Sequence, residues 1–158
     1  MKLTFLCLGS RGDVQPYIAL GLGFQRLGYR VRIATHEIFK DFVTQYGLEF
    51  SPVQGNPRQF VDLIATSATV SVGNNFLKLI QELRKIVRQV IQHMLDSSIT
   101  ACEGSDVLFY GLLSIPAYHL ADKWNIPRFP VLLQPATRTG AYPAAVFPAL
   151  PLGPLYNH

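Results

Sequence analysis

The sequence predicts an α/β protein built on a doubly wound parallel sheet of about five to seven strands, with helices on both faces. Three observations lead there. Short apolar runs alternate with helical patterns from the N-terminus onward, in the order strand, helix, strand, helix, strand within about fifty residues. Glycines (Gly28, Gly47) close the helical patterns. The first apolar run, Leu3 to Leu8, ends in the turn Gly9-Ser10-Arg11-Gly12-Asp13 and leads into a helical pattern opening at Val14-Gln15-Pro16. A loop so framed lies at the carboxyl end of a strand, where ligands of parallel sheets bind and a helix N-terminus favours negative charge.

The elements follow in order. After the loop, Ile18, Leu20, Leu22, Phe24 and Leu27, with Ala19, Gly21 and Gly23 between them, predict a helix whose small residues allow close approach to the sheet. Val31 to Thr35 alternates and is β-branched, predicting a second strand; His36 to Tyr46 predicts a short helix with Phe39, Phe42 and Val43 on one face. Leu48 to Val53 is the third expected strand. Gln54 to Asn75 reads as a connection with one short apolar turn, the sort of segment that carries binding residues. From Phe76 to about Cys102 an apolar arc including Leu79, Leu83, Val87, Met94 and Leu95 predicts the longest helix, with Lys78, Arg84, Lys85 and Arg88 on the opposite arc. Asp106 to Tyr110 predicts the fourth strand, Ile115 to Trp124 a helix with Pro116 in its first turn, and Arg128 to Leu132 or Leu133 the fifth strand. Five prolines between Pro135 and Pro154 exclude a helix or central strand in residues 135–158, yet that segment is apolar, as if made to cover something.

Composition limits the function. A chain of 158 residues, 49% of them hydrophobic, can bury a core and fits one domain. Only 15% are charged, which excludes a disordered tail. A net charge of +4 with a pI near 9.2 is too mild to argue for nucleic acid without an aromatic and basic patch. Cys7 and Cys102 read as small core residues in a reducing compartment, not as a disulfide. The N-terminal apolar run falls short of the roughly seven to fifteen residues of a secretory signal, and no run reaches the ~18 of a membrane span. The expectation is a cytoplasmic protein, with a peripheral membrane contact through the basic arc as the alternative.

The residues also carry a resemblance. Gly9-Ser10-Arg11-Gly12-Asp13-Val14-Gln15-Pro16-Tyr17, then Gly28 to Glu37, then Gly47-Leu48-Glu49-Phe50, resemble the N-terminal domain of sterol and lipid glucosyltransferases, family 28 and family 1 enzymes of the GT-B type. Leu152-Gly153-Pro154-Leu155-Tyr156-Asn157 is similar to the segment leading to their second domain. The resemblance implies a Rossmann-like acceptor-binding domain over residues 1–134, with 135–158 as its Pro-rich C-terminal segment. No donor motif of that family follows, so the donor-binding domain is expected to be absent, and a separate chain supplying it becomes an expected partner.

The implied activity is inverting transfer of a hexose, glucose first, from a UDP-sugar to a sterol, lipid or other small hydroxyl acceptor. The UDP-sugar is a co-substrate; no cofactor and no metal are expected, there being no Asp-x-Asp pair and no His or Cys cluster at ligand spacing. By the resemblance Asp13 is the base that takes the acceptor proton, and Ser10, Arg11 and Gly12 help neutralise the diphosphate. Tyr142 and Phe147, with Tyr156, are candidates to line the acceptor pocket, where ordinary packing would also account for them. The residues alone leave Asp13 open as a helix cap, and Ser10 and Gly12 as parts of a tight turn. His36 is expected to cap the following helix, and His93 and His119 to be ordinary helix residues. Two alternatives stay open: a non-catalytic acceptor- or lipid-binding module or truncated relative, and a nicotinamide oxidoreductase with Glu37 on ribose.

Overall fold

A computed structural model gives the fold over residues 1–55, 88, 92–114 and 116–134, and the structure is described for those residues. Most of the connection after Gly55, the basic positions Lys78, Arg84 and Lys85, and the segment from Pro135 with Tyr142, Phe147 and Tyr156 lie outside them. The elements are β1 (Lys2–Leu6), α1 (Arg11–Arg26), β2 (Arg30–His36), a 3-10 turn (Glu37–Phe39), α2 (Lys40–Thr44), β3 (Glu49–Val53), α3 (92–102), β4 (Val107–Tyr110), α4 (Pro116–Trp124) and β5 (Arg128–Pro130). The five strands form one sheet in the order β3-β2-β1-β4-β5. All four pairings are parallel, with Leu3 opposite both Val31 and Val107 and Phe5 opposite both Ile33 and Phe109.

The two faces follow from the period of two in a strand. Leu3, Phe5 and Cys7 join Val14, Tyr17 and Ile18 of α1 and Val43 of α2 in one core. Leu6 and Leu8 join Ala101 and Cys102 of α3 and Ala117, Leu120 and Ala121 of α4 in the other. Helices α1 and α2 therefore cover one face and α3 and α4 the opposite one. The chain changes faces between β3 and β4, which makes the β1–β4 boundary the topological switch point. On the α1 face Phe5 stacks on Phe109 at 4.6 Å between ring centroids, with Phe24 and Phe129 extending the row. Offset aromatic pairs of this kind add roughly 0.5–1.5 kcal/mol each to their burial.

Several expectations need correction. Helix α1 starts at Arg11, so Arg11, Gly12 and Asp13 belong to its first turn and not to the loop, and Pro16 lies inside the helix. A proline ring there would press on the carbonyl of Gly12. Of the small residues in α1 only Gly21 makes the close approach: a Cβ there would sit 3.0 Å from Val31 Cγ1, whereas Ala19 and Gly23 are exposed. On α3 the buried side runs through Ser98, Ala101 and Cys102, and Leu95 is exposed. Small residues let α3 lie close to the sheet, and the apolar arc is turned accordingly. Strand β5 ends at Pro130, short of Leu132.

Candidate active site

The first turn of α1 is built around Asp13. Ser10 is the N-cap, extended at φ −84° and ψ 176°, and Asp13 Oδ2 accepts its backbone N–H at 2.7 Å and its hydroxyl at 2.8 Å. This is the carboxylate arm of a capping box, and Ser10-x-x-Asp13 is its sequence signature. Gly9 is required twice over. Its φ is +133°, and a Cβ there would lie 2.5 Å from Asp13 Oδ2. Asp13 thus does belong to the cap, though as an acceptor inside the helix. Its second oxygen, Oδ1, has no hydrogen-bond partner among the described residues.

Asp13 also faces a recess of about 130 Å³ at the switch point. Cys7 and Leu8 form its floor after β1, and Asp13 and Tyr17 contribute from α1. Gly111, Leu112 and Leu113 enter after β4, and Leu133 and Gln134 after β5. The rim is apolar: Leu112, Leu113 and Leu133 are exposed by 39%, 60% and 44%. Whole ligand pockets measure roughly 300–1,000 Å³, so this recess fits only the reacting end of a larger molecule.

Long-range bonds hold the walls. The Leu8 N–H donates to the buried Ser114 hydroxyl at 3.2 Å, tying the β1 exit to the β4 exit. The Tyr17 hydroxyl donates to the Val131 carbonyl at 2.5 Å, tying α1 to the β5 exit. Burial pushes the Tyr17 phenol up to about 12, with Cys7 and Asp13 adding to the shift, so it stays a donor at neutral pH. Burial likewise pushes the Cys7 thiol far up, which excludes it as a nucleophile.

The other candidates fall elsewhere. The Arg11 guanidinium lies 4.6 Å over the Phe42 ring of α2, and neither it, Ser10 nor Gly12 is in the recess lining. His36 makes no cap hydrogen bond, contrary to expectation. It is buried at the end of β2, its Nδ1 lacks a partner among the described residues, and burial holds it below its usual value. Glu37 pairs with Lys40 at 3.7 Å. His93 and His119 are exposed helix residues. Among the described residues no cluster of three or more His, Cys, Asp or Glu is arranged to hold a metal ion. Nor is any described helix long and apolar enough to cross a membrane.

Sequence reasoning left Tyr17, Gly111 and Ser114 without a role. The one local signal was the spacing of Asp13 and Tyr17, one helical turn apart on a shared face.

A parallel sheet ordered 3-2-1-4-5 with helices on both faces defines a Rossmann-like domain, and the recess beside Asp13 lies at its switch point, where ligands of such folds bind. The chain belongs to the glycosyltransferase family 28 N-terminal domain family, whose model matches residues 3–129. It is 42% identical over 158 residues to the sterol 3-beta-glucosyltransferase of Komagataella phaffii, covering 99% of this chain and 13% of that protein. To the sterol 3-beta-glucosyltransferase of Candida albicans it is 41% identical over 158 residues, covering 99% of this chain and 10% of that one. The chain therefore spans only a small part of the curated relatives it matches. Among solved structures, the calicheamicin glycosyltransferase CalG4 superposes with a TM-score of 0.64 at 19% identity, over 87% of this chain and 33% of that one. The kitacinnamycin glycosyltransferase superposes with a TM-score of 0.61 at 20% identity, over 87% of this chain and 31% of that one. At that identity the likeness establishes the GT-B half-fold.

Proposed function

We propose that this chain is the acceptor-binding half of an inverting hexosyltransferase that moves a sugar, glucose first, from a UDP-sugar to a sterol, lipid or other small hydroxyl acceptor. The observation that carries the reading is Asp13: a carboxylate held by Ser10, its other oxygen without a partner among the described residues, facing a recess whose rim is apolar. Asp13 takes the proton of the acceptor hydroxyl while that oxygen forms its bond to the anomeric carbon. The bond from the anomeric carbon to the diphosphate breaks, and UDP leaves with the electron pair. The similarity to sterol 3-beta-glucosyltransferases supports a sterol as the first acceptor to try.

Ser10, Arg11 and Gly12, at the start of α1, are assigned to the donor diphosphate, where helix N–H groups and an arginine supply positive charge. For that, Arg11 must leave Phe42. Tyr142 and Phe147 are assigned to the acceptor pocket. The UDP-sugar is the co-substrate, and the reaction calls on no metal. A donor-binding domain, on the same or a separate chain, completes the cleft. The two free, buried cysteines support a cytoplasmic setting, with any membrane contact peripheral.

The test is a pair of titrations followed by mixing. The chain should bind a fluorescent sterol measurably and UDP-glucose weakly or not at all. Adding a donor-binding half should then yield sterol glucoside. Sterol binding without transfer in that mixture would assign the chain as a non-catalytic acceptor module; absence of sterol binding would overturn the acceptor assignment.

A further inference from the structure

Two glycines flank the switch point, and each leaves room for a polar side chain from the same face of α1. A Cβ at Gly9 would lie 2.5 Å from Asp13 Oδ2, and one at Gly111 would lie 2.7 Å from the Tyr17 hydroxyl oxygen. Their reasons for being glycine differ. Gly9 has φ +133°, whereas Gly111 is not among the glycines with positive φ, so its backbone would accept alanine. The Tyr17 hydroxyl is what excludes a side chain at position 111.

That hydroxyl has one target. It donates to the Val131 carbonyl, while the Val131 N–H donates to the Tyr110 carbonyl at 2.9 Å. The peptide at the β5 exit is thereby fastened to β4 by one bond and to α1 by another. Two residues further on, Leu133 and Gln134 form one wall of the recess, and Asp13 stands one turn before Tyr17 on another.

We propose that Tyr17 is a positioning residue acting through Val131, and that Gly111 is its coupled partner. Together they fix the β5 exit against α1 and set the gap between the Asp13 carboxylate and the Leu133–Gln134 wall, where an acceptor hydroxyl enters. The acceptor part rests on the function proposed above; the clasp itself rests on geometry alone.

A double-mutant cycle on the 158-residue chain tests it, read by amide hydrogen exchange, thermal melting and binding of a fluorescent sterol. Tyr17→Phe removes one hydrogen bond and keeps the ring. It should raise exchange at the Val131 amide by ~3–10-fold and weaken sterol binding by a similar factor, with strands β1 and β2 as protected as before. Gly111→Ala should do both more strongly, because its methyl displaces the hydroxyl. In Tyr17→Phe/Gly111→Ala the hydroxyl is gone and the nearest ring atom, Cζ, lies 3.5 Å from the new methyl, an ordinary contact. The double variant should therefore match Tyr17→Phe and recover most of the loss caused by Gly111→Ala.

Additive losses would overturn the coupling, as would unchanged exchange at Val131 in Tyr17→Phe. Exchange raised evenly through the sheet, with a lowered melting temperature and no rescue, would reduce the pair to general packing and also overturn the proposal. If the unaltered chain binds no sterol, the acceptor reading falls, and exchange and rescue alone decide the clasp.

Discussion

The two ends of the sheet use polar residues in opposite ways. At the amino edge polar side chains join the strands and α3 in a network. Lys2 Nζ and Arg32 Nε meet Glu49 at 3.0 and 2.7 Å, and Arg32 Nη1 donates to the Ala101 and Glu103 carbonyls at 2.9 Å each. The Lys2 N–H donates to Asp106, and the Ser105 hydroxyl to Thr4 Oγ1 at 2.7 Å. At the carboxyl edge Asp13 keeps one oxygen open, buried His36 Nδ1 and Thr35 Oγ1 lack partners among the described residues, and leucines stand exposed around a recess. Buried polar groups cost free energy unless they are paired. The amino edge therefore serves stability, and the carboxyl edge is where the proposed function places a ligand.

Substitutions at the two edges should separate along that line. After loss of the Asp13 carboxylate itself, the largest effect is expected at Gly9→Ala, whose methyl would press on Asp13 and whose φ of +133° disfavours any side chain. Misplacing a reacting group by about 1 Å costs transfer ~100-fold, measurable as sterol glucoside formed with a donor half present. A rate near that of the unaltered chain would show that the placement of Asp13 does not matter. Next comes Arg32→Met at the amino edge. It leaves the Ala101 and Glu103 carbonyls without that donor and Glu49 with Lys2 alone, costing about 2 kcal/mol and roughly 4–8 °C in melting temperature, while the rate per folded molecule holds. A rate loss at full folding would break the division between the edges.

The edges also separate by pH. Burial holds His36 below its usual 6.5, so the neutral form belongs to the fold; the stability it contributes is complete above 6.5 and is lost as pH falls through the lower folded value. Burial acts upward on Glu49, but hydrogen bonds from Arg32 and Lys2 outweigh it and hold the carboxyl below its usual 4.5, so its share is lost only below that pH. Urea midpoints should fall as the pH drops below 6.5, and His36→Phe should flatten that part of the profile alone. An unchanged slope in that variant would remove His36 from the account. The smallest effect is expected at Arg11→Ala, about 0.5 kcal/mol from the lost contact with Phe42. A rise in KM for the UDP-sugar would support the diphosphate role of Arg11; an unchanged KM would confine it to packing between α1 and α2.

What could be read from the sequence divides along similar lines. The strands were legible because Leu3, Phe5, Val31, Ile33, Val107 and their neighbours are apolar on both faces, as buried parallel strands must be. Gly28 and Gly47 marked helix ends by their own conformation, both having positive φ. The start of α1 was misplaced because Pro16 was read as a first-turn proline, although Ser10-x-x-Asp13 already marked the cap. In the candidate site, the place of Asp13 after β1 was legible from its motif. Tyr17, Gly111 and Ser114 were not, because their partners Val131, Tyr17 and Leu8 are about a hundred residues away in the chain, and contacts at that range leave no local period. The direction of Arg11 was hidden for a related reason: Phe42 reaches it only once α2 has packed beside α1.

The central claim is that the open Asp13 oxygen receives the acceptor proton. Its direct test is sterol glucoside formation by Asp13→Asn with a donor-binding half present, alongside sterol binding to the same variant. Asparagine keeps the size of the side chain and an oxygen for the Ser10 N–H, but cannot take the proton. The account predicts a fall in transfer of ~10³-fold with sterol affinity unchanged. Turnover close to that of the unaltered protein would contradict it.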